Sequence, residues 1–286
     1  MLYYYVFFRC YHTLIYVLAL SDVVFYYVAM KRRQTVFIER REILMQRLMD
    51  AMRHGYTAWT SGAVRVERAA AMIGKFERVY RTGEGRLERE RAREHELGNA
   101  KLLLLFDRRS PAVIRWWLLL SPGDHPARQL ERLRDATAPG GRIDVDGFIL
   151  TRQIRTVSQH PLSKAGTKPS WTWRMSSESD EAWRAAIKSA IRHRQDEKLQ
   201  QLLETLYRSP GFNAIRKQIG KIRAFTQAEW KRSRSTGEAL PDLPEKLGYV
   251  RRLKTEGVTL EELKRRLQRP TAGEVQGMDG SEGNPP

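Results

Sequence analysis

Two carboxylates two residues apart, Asp144 and Asp146 in RIDVDG, are the first residues whose type and spacing suggest catalysis. On a strand, period-two geometry sets both on one face, where they could share a divalent metal. Acidic pairs of this kind serve two-metal nucleotidyl transfer and nucleases. The plainer alternative is a solvent-facing strand edge with two charges. Asp124-His125 follows Pro122-Gly123 and reads as turn and helix-cap chemistry rather than a metal ligand. The six histidines are scattered without a His-x-His, and the chain has no P-loop or GxGxxG. The single cysteine, Cys10, excludes an intrachain disulfide and a Cys-based zinc module. No cofactor is expected, and a divalent metal enters only if the aspartate pair is a site.

Binding chemistry is written more plainly. Lys and Arg total 51 against 33 Asp and Glu in 286 residues, a formal net charge of +18. Such an excess attracts polyanions at long range. Nucleic acid, DNA first, is the expected partner; an anionic membrane is the competitor, and surplus charge for solubility the bland reading. Phe212, Ile215, Ile219, Ile222 and Phe225 fall on one helical stripe. That leaves Arg216, Lys217, Lys221, Arg223, Lys231 and Arg232 for phosphate contact. Arg152, Arg155 and Arg174 lie near Trp116, Trp117, Trp171 and Trp173. Exposed tryptophans beside arginines would form a stacking platform for bases; buried ones would be core. The run from Arg81 to His95 alternates Arg and Glu, so a solvated helix that largely neutralises itself is expected.

The elements that position these residues follow from periodicity. Ile38, Leu44, Met45, Leu48, Met49 and Met52 predict a helix over 35–52, left at His54-Gly55. Val66, Ala69, Ala70, Ile73, Phe76 and Tyr80 predict a second after Ser61-Gly62. The two would form a packing hairpin or a helix-turn-helix. Leu102–Phe106 and Val113–Leu120 are short apolar runs between breakers and read as buried strands. A helix with Asp124 near its N-cap comes next, then a strand over Arg142–Arg155 and a half-buried strand carrying Trp171, Trp173 and Met175. The fold class predicted is α+β: mostly helical, with a small four-stranded sheet packed by helices in the middle of the chain. A helix opening at Ser179 or Asp180 should continue through Leu206 and break at Pro210-Gly211.

The expected regions are a hydrophobic extension over 1–29, a helical part over 30–98, the α+β core and basic helices over 99–234, a linker over 235–247, C-terminal helices over 248–269 with a Thr259/Glu262 capping box, and a disordered tail over 270–286. Residues 10–30 are about long enough to cross a bilayer and are followed by Lys31-Arg32-Arg33. Asp22 would oppose insertion by roughly 2.5–3.5 kcal/mol. Met30 opens a stretch that suits the start of a basic cytoplasmic protein. Two placements stay open: a cytoplasmic protein with an upstream extension, or one anchored in the inner membrane with its basic body in the cytoplasm.

Two resemblances add to these readings. RIDVDG resembles the hydrophobic-Asp-hydrophobic-Asp motif of archaeo-eukaryotic primases, with Ser158-Gln159-His160 similar to that family's downstream Ser-x-His. The interval is shorter here and no third acidic motif follows. The pattern WTSG, RAAAMIGKF, RWWLLLSPG, WTWRM and PGFNAIRKQ, from Trp59 to Gln218, resembles uncharacterised basic proteins of proteobacterial integrative and conjugative elements. That resemblance implies a role in maintenance or transfer of a mobile element, with element-encoded protein partners, and supplies no catalytic residues.

Overall fold

The apolar runs at 102–106 and 113–120 are continuous because both faces of their sheet are covered. In the computed structural model, which describes residues 35–153, 170–235, 237–241 and 246–268, they form β3 (Ala100–Phe106) and β4 (Val113–Leu120), an antiparallel pair with Leu104 opposite Trp116. β2 (Ala58–Arg65) pairs antiparallel with β4, and β1 (Phe37–Ile38) runs parallel to β3. β5 (Arg134–Asp135) and β9 (Gly257–Val258) complete a six-stranded sheet of order β5-β2-β4-β3-β1-β9. Alternation sorts the side chains. Trp59, Leu105, Trp117 and Leu119 pack towards α1 (Arg41–Arg53). Leu104, Phe106, Ile114, Leu118 and Leu120 pack on the face covered by α2 (Val66–Tyr80). Two short helices follow in the chain, α3 (Arg86–Glu94) and α4 (Ala127–Leu130).

A second sheet holds β6 (Asp144–Val145), β7 (Phe148–Gln153) and β8 (Ser170–Met175), in that order. The helices α5 (Ser177–Arg192), α6 (Asp196–Tyr207) and α7 (Asn213–Ser233) follow it. Trp173 is fully buried and its indole Nε1 donates to Met45 O at 3.0 Å, tying this sheet to α1. The edge of β8 is blunted by a side chain. Met175 N donates to Gln218 Oε1 at 2.7 Å and Gln218 Nε2 donates to Met175 O at 3.2 Å, so α7 takes the place of a further strand.

Several expectations are corrected. The single four-stranded sheet is replaced by a six-stranded and a three-stranded sheet, because β3 and β4 join one while β7 and β8 join the other. The expected helix over 35–52 starts as β1, and β2 separates α1 from α2, so neither a helical hairpin nor a helix-turn-helix forms. The long helix from Ser179 is broken at Arg194, which adopts φ 54. The C-terminal helical pair is instead β9 and one helix, α8 (Leu260–Gln268), with Glu262 N capped by Thr259 Oγ1 at 3.2 Å.

Residues 247–256, read partly as linker, form a strap without helix or strand that crosses α1. Gln46, 2% exposed, donates to Arg251 O at 2.7 Å and accepts from Leu253 N at 3.0 Å. Arg47 reaches Leu253 O and Thr255 Oγ1, and Arg252 grips both oxygens of Asp50 at 2.8 and 2.6 Å. The strap then delivers β9 to the edge of β1. Among the described residues no helix is long and apolar enough to cross a membrane; the hydrophobic stretch within 1–30 and the tail over 270–286 lie outside them.

Candidate nucleic-acid interface

α7 buries Ile215, Ile219, Ile222 and Trp230 and turns its basic residues outwards or along its flanks. The sequence of this helix holds six cations against one acid, Glu229. The structure divides those cations unequally. Arg232 pairs with Glu229 at 2.7 Å, and Arg192 meets the same carboxylate at 2.8 Å. Burial pushes the Glu229 carboxyl up, but its two guanidinium partners outweigh that and hold it below the usual range. Arg232 is therefore a partner for Glu229 before it is one for phosphate. Lys231 and Lys221 are exposed, and Arg223 is half-buried near Tyr207.

At the N-terminal end of α7 the geometry is different. Asn213, Arg216, Lys217 and Gly220 fall at i, i+3, i+4 and i+7, one face of the helix. With Tyr207, Lys246, Leu247 and Tyr249 they line a groove of about 290 Å³. Arg216 is oriented by Nε donating to Leu247 O at 2.7 Å, and its guanidinium carbon lies 3.4 Å from the Tyr249 ring centroid. Tyr249 is 71% exposed, so the stack covers part of the ring and leaves the rest open to solvent. Burial pushes the Tyr207 hydroxyl up, with the Arg223 charge acting against it.

The strap holds this arrangement together. Val250 N donates to Gly211 O at 3.1 Å, and a β-carbon at Gly211 would collide with Gly248 O, so only glycine lets the strap come this close to α7. Gly220 also lines the groove and is exposed, and a β-carbon there would meet nothing within 4 Å.

The remaining sequence-derived candidates are placed elsewhere. Arg152 is exposed on β7, Arg174 is half-buried on β8 with Nη1 donating to Met175 O at 3.4 Å, and Arg155 lies outside the described residues. Trp117, Trp171 and Trp173 are buried, and Trp116 meets Phe76 edge-on at 5.2 Å, so these tryptophans serve packing rather than an exposed platform. Ser158, Gln159 and His160 are outside the described residues. His125 is 5% exposed, its Nδ1 accepting from Ala127 N at 3.2 Å at the start of α4 and its Nε2 3.2 Å from Tyr80 O.

Asp144 and Asp146 do not share a strand face. Asp146 and Gly147 are the two central residues of the β6–β7 hairpin, with φ 53 and 78, the left-handed pair of a type I′ turn. Asp144 Oδ1 accepts from Gly147 N at 3.0 Å. Asp146 is gripped by Arg115 at 2.7 and 3.2 Å, with Arg41 at 3.7 Å. Burial raises its carboxyl, but the Arg115 and Arg41 guanidiniums hold it below the usual range. Among the described residues no group of three or more His, Cys, Asp or Glu gathers as a metal site.

Sequence reading found Arg216 and Lys217 but missed Tyr207, Lys246 and Tyr249. The available signal is Gly248-Tyr249 beside Arg251-Arg252, an aromatic among basic residues where linker and helix are expected. No protein-family model, curated protein or solved structure matches this chain.

Proposed function

We propose that this chain is a non-enzymatic nucleic-acid-binding protein, with DNA the expected ligand, and that the groove beside α7 is its contact surface. Lys217 and Lys221 meet backbone phosphates, Arg216 adds a further cation, and the open part of Tyr249 takes an unpaired base. The observation that carries this reading is the Arg216–Tyr249 stack: a guanidinium, fixed by Leu247 O, under an aromatic ring that is 71% exposed. Aromatic–base stacking combined with a cationic groove is how single strands are held without sequence choice. Maintenance or transfer of a mobile element, alongside element-encoded proteins, is the biological setting we propose with it.

Fluorescence polarisation with labelled single-stranded and duplex oligonucleotides tests the reading. Stacking contributes about 1–3 kcal/mol per base, so Tyr249→Ala should weaken single-strand binding on the order of tenfold or more while leaving duplex binding nearly unchanged. Equal single-strand affinity in the variant and the unaltered protein would sink the proposal.

A further inference from the structure

A second cavity, of about 400 Å³, lies between the C-terminal end of α1, β3 and α3. Its wall is cationic. Arg53, Arg86, Arg89, Arg93 and Lys101 line it, and Glu84 is the one acidic lining residue. On α3, positions 86, 89 and 93 stand at i, i+3 and i+7, so three guanidiniums share one face, with Glu90 at its border beside Arg86.

Only part of this charge is neutralised. Arg86 pairs with Glu90 at 2.9 Å, and Glu84 is paired with Arg81. Among the described residues Arg53, Arg89 and Arg93 have no carboxylate at ion-pair distance. Backbone carbonyls orient two of them instead: Arg89 Nη2 donates to Thr82 O at 3.4 Å, and Arg93 Nε to Arg89 O at 3.3 Å. A carbonyl dipole positions a guanidinium without cancelling its charge. Like charges held together in a concave wall repel one another, and the repulsion is relieved when an anion enters.

The polar groups of the cavity narrow the ligand further. Tyr56 lines it and is 7% exposed, its hydroxyl makes no hydrogen bond among the described residues, and Lys101 Nζ sits 4.2 Å from its ring centroid. Burial pushes this phenol up, and the Arg89 and Arg93 charges pull the other way, so those guanidiniums act on it from close by. A neutral phenol is a donor. The Gly85 N–H at the start of α3 is already taken by Glu88, and the Ser121 hydroxyl donates to Pro122 O at 3.3 Å, which leaves arginine and tyrosine side chains to donate here.

We propose that this cavity binds a phosphate monoester. Arg89 and Arg93 offer forked donors to its oxygens, Arg53 and Lys101 face them from other elements, and Tyr56 donates a neutral hydrogen bond. The ester is either a free nucleotide or the 5′-phosphate at a strand end, which present the same dianion. None of these residues belongs to the α7 groove, so the two sites stand or fall separately.

The test is calorimetric titration of the full chain, with inorganic phosphate and then a nucleoside 5′-monophosphate as probes. Both should bind. An Arg89→Gln, Arg93→Gln variant should lose at least tenfold in affinity for each, and Arg53→Gln, on a different element, should lose several-fold. Circular dichroism checks that the variants fold. No binding of either probe to the unaltered protein overturns the proposal, as does undiminished binding in folded variants. A further arm compares 5′-phosphorylated with 5′-hydroxyl oligonucleotides. A phosphate preference lost in the Arg89→Gln, Arg93→Gln protein assigns the site to strand ends, and equal affinity alongside nucleotide binding assigns it to the free nucleotide. A preference that survives in the variant overturns the cavity as its origin.

Discussion

Gly62 on β2 lies opposite Trp116 on β4, and a β-carbon at Gly62 would sit 2.7 Å from Trp116 Cζ2. The indole occupies the space that any other residue's side chain would need, and its edge-on contact with Phe76 at 5.2 Å fixes it against α2. Gly62→Ala should therefore overpack the sheet and cost about 1–3 kcal/mol, read as a lower urea midpoint. Trp116→Leu in the same chain should recover part of the loss. An unchanged midpoint in Gly62→Ala would show that the close approach carries no constraint.

The strap depends on Gln46, which satisfies a strap carbonyl and a strap amide with one side chain. Gln46→Leu keeps the volume but leaves both groups without their partner. The expected cost is about 1–3 kcal/mol, with faster proteolysis within 247–256. Protease resistance equal to the unaltered protein would place the anchoring elsewhere, in Arg47 and Arg252.

Asp50 gives that anchor a pH dependence. Burial raises its carboxyl, but hydrogen bonds and charge from Arg252 and Arg47 outweigh this and hold it below the ordinary 3.8. A group depressed in the folded state contributes stability above the unfolded value and loses it as pH falls through the folded one. The urea-midpoint gap between the unaltered protein and Asp50→Asn should be constant at neutral pH and close as pH falls below 3.8. A gap that persists at the acid end would contradict the ion-pair account.

Gly220 separates groove shape from helix stability. A mid-helix glycine costs about 0.5–1 kcal/mol relative to alanine, and nothing lies within 4 Å of a β-carbon there. Gly220→Ala should raise the melting temperature. Gly220→Leu should fold as well and block the groove, weakening oligonucleotide binding. A folded Gly220→Leu protein with full affinity would remove the groove from the interface.

The parts of this fold that could be read from sequence were those set by local pattern. The runs at 102–106 and 113–120 announced buried strands, and the stripe of Ile215, Ile219 and Ile222 announced α7. β2 was hidden because Thr60, Ser61, Gly62 and Ala63 carry little apolar alternation; its place is set by pairing with β4 and by Trp116, a long-range fact. RIDVDG carries two signals at once, a carboxylate pair and an Asp-Gly turn between apolar runs, and the hairpin at 146–147 follows the second. The Arg81–His95 run was expected to neutralise itself, yet Arg89 and Arg93 find carbonyls rather than carboxylates. Tyr249 could not be placed at all, since only the strap's path across Gly211 brings it to Arg216.

The central claim, that exposed cations of α7 hold a phosphate backbone, is tested most directly by the salt dependence of single-strand binding in the unaltered protein and in Lys217→Gln, Lys221→Gln. Each phosphate contact contributes roughly 0.7 to the slope of log affinity against log salt for a single strand. The unaltered protein should show a steep fall, and the double variant a slope shallower by about 1.4. A flat salt response, or equal slopes in the two proteins, would contradict the account.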